Sequence, residues 1–267
     1  MISKPTLVLD KSWVQGASTS DLAGAAMQYS LGFSEPLFYE ILTSSPPEAI
    51  KCLRRLRSVE SSVIVLPGVG GFLRIEIANA RPVGPLEGHA ISKDVVFNIK
   101  ESDGELVLGA RQIDLIERER VEREIVAPNL YAFLFRTLPS IFPSLADDVR
   151  GGQRDKLDGY EQTIANEPGL ICGLLEASGK KYFPAASALN PEWFFYRRVQ
   201  TLLLAGLEYV RAYGTLELEP MPTKLPNFIL DLPYVTMGVV SGALATREKQ
   251  LARWAKLLRE DAAIVGI

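Results

Sequence analysis

The sequence predicts an α/β fold: a parallel sheet flanked by helices, formed by both chain ends, with a large, mainly α-helical insertion between them. Three observations carry this expectation. Leu7-Val8-Leu9 is a short apolar run that ends on Asp10 close to the start of the chain. The far end alternates helical and short apolar segments, as a parallel sheet requires. Between them, from about 119 to 213, apolar residues recur at helical spacing.

Each element follows from local chemistry. Residues 6–10 read as a buried strand. Ser18-Thr19-Ser20 offers N-caps for a helix over about 20–30, because a side-chain oxygen there accepts an otherwise unpaired N–H. Ser34-Glu35-Pro36 opens a second helix, with proline where a missing N–H is harmless. A third runs from Ser45-Pro46-Pro47-Glu48 to about residue 59 and carries Lys51, Arg54, Arg55 and Arg57. Residues 61–66 look like a strand, which Pro67-Gly68-Val69-Gly70-Gly71 breaks. Residues 72–118 are mixed, with strand pieces expected near 94–99 and 105–109. Asn190-Pro191-Glu192 begins the clearest helix, with Trp193, Phe194, Tyr196, Val199, Leu202 and Leu203 on a broad apolar face and Gly214 at its end. Asn227 to about Gly242 reads as a buried helix, with Pro233 in its first turn and Asp231 near its N-terminus. Ala243 to Thr246 is a strand, Arg247 to Glu260 an amphipathic helix, and Ala262 to Val265 a last strand.

The chain has 267 residues, of which 47% are hydrophobic, enough for a sizeable core. A net charge of −3 gives no general affinity for nucleic acid, so any such partner must be held by a local basic patch. Cys52 and Cys172 form no CxxC pair and read as two free thiols in a reducing cytoplasm. No signal peptide and no membrane span are expected. The single histidine, His89, has no Ser or Cys motif beside it, so neither a catalytic triad nor a histidine-rich metal site is expected. The glycines after Pro67 lack the Lys-Ser/Thr of a phosphate loop and read as a turn. Glu117-Arg118-Glu119-Arg120 reads as a solvated helix face. Trp193-Phe194-Phe195-Tyr196 reads as core, with Arg197 and Arg198 beside it leaving a nucleic-acid surface as the alternative.

Four acids stand out. Asp10 ends a strand, which sets its carboxylate at the edge where open α/β sheets bind ligands; Ser12 is in reach of it. Glu40 lies in an otherwise apolar turn, Leu37-Phe38-Tyr39-Glu40-Ile41-Leu42, where a buried carboxylate needs a partner or a cation. Asp231 sits among apolar residues. Glu248 follows the strand Ala243-Leu244-Ala245 and Thr246. Each also has an ordinary reading: loop residue or cap for Asp10, surface acid for Glu40, N-cap for Asp231, first-turn acid for Glu248.

Together they resemble a known family. Leu7-Val8-Leu9-Asp10-Lys11-Ser12, with Phe38-Tyr39-Glu40, resembles the opening of PIN-like domains. Asp231-Leu232-Pro233-Tyr234-Val235, then Leu244-Ala245-Thr246-Arg247-Glu248-Lys249, resembles their close, with Glu248 where the family has Asp. The resemblance covers roughly 1–60 and 226–267, leaving 61–225 as an insertion that suits a lid, a dimer surface or a substrate-selecting platform. It implies a metal-dependent nuclease in which Asp10, Glu40, Asp231 and Glu248 are catalytic metal ligands and Ser12 and Thr246 support them. Carboxylates without a His or Cys cluster suit Mg²⁺ or Mn²⁺, which neutralise phosphate charge and activate water. The expected substrate is nucleic acid, RNA ahead of DNA, with Lys51, Arg54, Arg55 and Arg57 as phosphate contacts. The apolar insertion is compatible with a homodimer. A catalytically weakened PIN-like scaffold that binds nucleic acid or protein is the second reading, and an unrelated α/β protein with coincidental acids the third.

Overall fold

The structure is a computed structural model; it describes residues 4–97, 99, 101–102, 105–153, 155–177, 185–216 and 225–266. The fold is α/β. Five strands, β1 (Thr6–Leu9), β2 (Ser30–Ser34), β3 (Val63–Leu66), and, from the far end of the chain, Ala243–Ala245 and Ala263–Val265, form one parallel sheet. Two short strands in the middle of the chain, β4 (Glu101–Ser102) and β5 (Glu105–Leu106), form a separate antiparallel pair, so the last two sheet strands are β6 and β7. The main sheet has the order β3-β2-β1-β6-β7. β1 and β6 are buried throughout, which is why they read as unbroken apolar runs rather than alternating ones.

The helices of the N-terminal half are α1 (Lys11–Gly16), α2 (Thr19–Gln28), α3 (Glu35–Leu42), α4 (Pro46–Arg57) and α5 (Val69–Asn79). Ser18 caps α2 in a reciprocal box with Asp21: its hydroxyl accepts from Asp21 N, and Asp21 Oδ2 accepts from Ser18 N. Then come α6 (Ala110–Ile141), α7 (Leu145–Arg150), α8 (Asp155–Asn166), α9 (Pro168–Ala177), α10 (Phe194–Tyr213), α11 (Leu225–Ser241) and α12 (Lys249–Leu258). Among the described residues no helix is long and apolar enough to cross a membrane.

Several expectations need correction. β2 was not anticipated, because Ser30-Leu31-Gly32-Phe33-Ser34 has a glycine at its centre. That glycine is required: a Cβ on Gly32 would stand 2.8 Å from Leu66 Cδ1 and 2.9 Å from Thr6 Cγ2, side chains of the strands on either side. α1 and α5 were likewise unforeseen, each opening beside residues that read as loop. No strand covers the described part of 94–99, residue 98 lies outside the description, and the second strand piece shrinks to β5. Pro233 lies inside α11 rather than in its first turn, so Asp231 is a mid-helix residue and not an N-cap.

The chain divides into two compact units: residues 1–72, 84–122 and 233–267 in the first, 73–83 and 123–232 in the second. These limits differ from those expected at 60 and 226, since β3 belongs to the sheet. In the first unit the exposed edge of β3 is covered by backbone bonds from Val65 N to Ser92 O and from Ile91 N to Val65 O, at 2.9 and 2.8 Å. α11 approaches the sheet through Gly238, where a Cβ would lie 2.9 Å from Leu244 Cβ.

In the second unit α10 packs on α8 and α9 with most of its length buried. Trp193, Phe194 and Tyr196 are core residues, as expected, and Arg197 is spent on Pro191 O and Gln200 Oε1. Glu76, 2% exposed, accepts three backbone N–H groups: Phe194 and Val83 on Oε1 at 2.6 and 3.0 Å, Phe195 on Oε2 at 2.9 Å. It thereby satisfies the open N-terminal turn of α10. Burial pushes its carboxyl above the ordinary glutamate range, against the lowering effect of those three bonds. Gly214 closes α10 in the left-handed conformation, φ 67°.

Candidate functional site

Asp10 stands at the carboxyl end of β1 and is 3% exposed. Its backbone opens α1, with Val14 N donating to Asp10 O at 3.2 Å, but its side chain makes no capping bond. The carboxylate turns instead toward β6. Register puts the two strands side by side, Leu9 against Ala245, and Asp10 N donates to Ala245 O at 3.0 Å.

Two hydroxyls converge on one oxygen. Thr246 Oγ1 donates to Asp10 Oδ2 at 2.7 Å, and Ser12 Oγ donates to the same atom. Each hydroxyl also accepts a backbone N–H from the turn after β6: Glu248 N donates to Thr246 Oγ1 at 3.0 Å and Arg247 N to Ser12 Oγ at 3.0 Å. A hydroxyl that accepts from N–H has its own proton left to give, so both are aimed at Asp10. Among the described residues Asp10 Oδ1 accepts no hydrogen bond.

The loop around this carboxylate is fastened by two arginines. Arg247 Nη2 donates to Gly16 O at 2.7 Å, and Arg55 Nη1 donates to Val14 O at 3.1 Å and to Gln15 O. These carbonyls are the open C-terminal groups of α1. Gly16 leaves the room that the Arg247 guanidinium occupies. Arg55, expected to contact phosphate, is therefore committed within the protein, whereas Lys51, Arg54 and Arg57 are exposed on α4. Burial pushes the Cys52 thiol on the same helix up, opposed by the nearby cations of Lys11 and Arg55. Cys52 and Cys172 are both free thiols.

The remaining acids are placed differently. Glu248 precedes α12 without capping it by its side chain; it is exposed, and among the described residues its carboxylate makes no hydrogen bond. Glu40 is half-buried on α3. Asp231 is half-buried on α11 and falls in the second compact unit, whereas Asp10, Ser12, Glu40 and Glu248 fall in the first. Among the described residues no group of three or more His, Cys, Asp or Glu side chains is arranged to hold a metal ion. The structure thus brings together Asp10, Ser12 and Thr246 with the 246–248 turn.

No family model matches the chain, and neither a curated protein nor a solved structure matches it.

Two residues at the same edge escape the sequence pattern. Ser34 ends β2 and Glu35 follows it, and with β2 unrecognised they read only as a helix start. Glu35 Oε2 accepts from Gly68 N at 2.9 Å, which fills the entrance of α5 with a carboxylate and leaves no phosphate loop there. Ser34 is wholly buried; it occupies the N-cap of α3 yet makes no capping bond.

Proposed function

We propose that the protein is a PIN-like nuclease that hydrolyses phosphodiester bonds with Mg²⁺ or Mn²⁺, in RNA ahead of DNA. The observation that supports this reading most is the pair of hydroxyls, Ser12 from one chain end and Thr246 from the other, that hold Oδ2 of Asp10. A carboxylate so oriented keeps its second oxygen for a ligand. Cations of this kind take oxygen donors, and Mg²⁺ commonly uses one or two carboxylates, several waters and substrate phosphate rather than an all-protein cage. Asp10 fits such a role in donor type, burial and orientation, with Glu40 and Glu248, of the same compact unit, as the acids that would share it. When bound, the ion would neutralise phosphate charge and lower the pKa of a coordinated water. Ser12 and Thr246 would fix the carboxylate, and Lys51, Arg54 and Arg57 would meet the strand backbone.

A second reading, a catalytically weakened scaffold that binds nucleic acid or protein, is favoured by the lack of a three-donor group among the described residues and by Glu248 in place of Asp. Cleavage of RNA and DNA oligonucleotides with Mn²⁺ separates the two, with Asp10→Asn as the matched variant. Cleavage by the native protein that disappears in Asp10→Asn supports the nuclease. RNA binding without cleavage supports the scaffold, and equal cleavage by both proteins rejects Asp10 as the centre.

A further inference from the structure

The first compact unit contains a cavity of about 330 Å³. Ligand pockets begin at roughly 300 Å³, so it has room for a small organic molecule. Its walls are mainly apolar: Phe33, Phe38 and Phe97 line it, with Leu42, Leu53 and Val65. Phe33 meets both other rings edge to face, at 5.8 Å and 81° with Phe38 and 5.6 Å and 85° with Phe97. Such contacts fix ring positions and keep the wall in shape. Ile91 and Val96, also on the lining, are 62% and 77% exposed, which makes an apolar approach to it from solvent.

Three polar side chains interrupt this lining; Glu35 accepts from Gly68 N and Gln112 from Gly109 N, and Ser34 differs from them. Ser34 is 0% exposed and lines the cavity, and its Oγ has no hydrogen-bond partner. A buried hydroxyl without a partner loses its bonds to water and gains none in return. Serine at an N-cap ordinarily satisfies itself by accepting from the helix, and this one does not. Its place is also suggestive. The register Val8 against Gly32, carried two residues on, sets Ser34 beside Asp10 on the neighbouring strand, at the carboxyl edge of the sheet.

We propose that this cavity is a binding site for a small, uncharged, mainly apolar molecule carrying one hydroxyl or comparable hydrogen-bonding group, which pairs with Ser34 Oγ. The apolar body fills the space between the phenylalanines and the aliphatic wall, and the polar group completes the serine. A charged ligand is disfavoured: an anion would meet the Glu35 carboxylate on the lining, and a cation would have to compete with Gly68 N, from which Glu35 Oε2 already accepts. The proposal stands apart from the nuclease reading, since it uses neither Asp10 nor a metal.

The test uses the full chain and calorimetric titration with 2-naphthol, naphthalene and adenosine. The expected result is saturable binding of 2-naphthol at one per chain, with naphthalene weaker by about fivefold, the value of one hydrogen bond. Ser34→Ala should remove that difference and leave naphthalene unchanged. Leu42→Trp should fill the space and abolish both. Methyl chemical shifts of Leu42, Leu53 and Val65 should move on titration, which locates the ligand even if the tryptophan variant does not fold. Preference for adenosine over 2-naphthol would overturn the ligand class. No saturable binding, or binding indifferent to Ser34→Ala with those methyls unmoved, would overturn the site.

Discussion

Thr246 Oγ1 donates a 2.7 Å hydrogen bond to Asp10 Oδ2 across 236 residues of sequence. The bond is buried, and the hydroxyl is itself held by Glu248 N. Thr246→Val keeps the shape and removes the donor, so it should destabilise the protein by about 1–3 kcal/mol in urea unfolding. Thr246→Ser should recover most of that loss. Under the proposed function the same pair should order nuclease rates alike, with valine low and serine near native.

The basic residues of α4 should separate into two kinds. Arg55→Ala removes the guanidinium from Val14 O and Gln15 O and should lower the unfolding midpoint. Lys51→Ala, Arg54→Ala and Arg57→Ala alter exposed positions and should leave it nearly unchanged. If α4 meets single-stranded RNA, each of these three should reduce the slope of log affinity against log salt by about 0.7. Filter binding over a salt series reads the slope.

Glu76 anchors the start of α10 and should show itself in stability and in pH dependence. Glu76→Ala leaves three N–H groups without their acceptor, at roughly 1–3 kcal/mol each, and should cost about 3 kcal/mol or more in chemical denaturation. Its raised folded pKa means that folding binds the proton more tightly. That contribution is fully present below the ordinary glutamate range and is lost as pH rises through the folded value. The stability of the native protein relative to Glu76→Gln should therefore fall as pH rises across that window and level off above it.

Gly238→Ala should be harmful although alanine favours helix. The added methyl would meet Leu244 Cβ, an atom that moves only with its strand. Overpacking of this kind costs about 1–3 kcal/mol, more than the roughly 1 kcal/mol that alanine gains over glycine in a helix interior. A lowered thermal midpoint checks the sign. Gly16→Ala should cost less, because the obstructing group there is the end of the flexible Arg247 side chain.

The strands β1, β3 and β6 were legible because strands buried in a parallel sheet are continuous apolar runs, and half-buried β7 at the sheet edge was legible from its own apolar run after the last helix. β2 was not, because Gly32 answers to the side chains of neighbouring strands, which are distant in sequence. The end of α10 was legible from Gly214, and the extent of α11 was legible to within two residues, whereas the place of Pro233 within α11 was misread, since tertiary packing can hold a proline inside a helix. For the site, Asp10, Ser12 and Thr246 were legible as a pattern of residue types. The commitment of Arg55 to α1 was not, since a basic helix face looks the same whether it meets solvent or a neighbour's carbonyls.

The sequence by itself determined the class of fold, the strand that ends on Asp10, and the chemistry of the donors around it, because these follow from local apolar runs and from what carboxylates and hydroxyls can do. Only the tertiary structure decided that β6 lies beside β1, that Ser12 and Thr246 share one oxygen of Asp10, and that Ser34 is buried without a partner at the same edge. These depend on register between strands far apart in the chain, and register is set by how side chains from several elements fill one core.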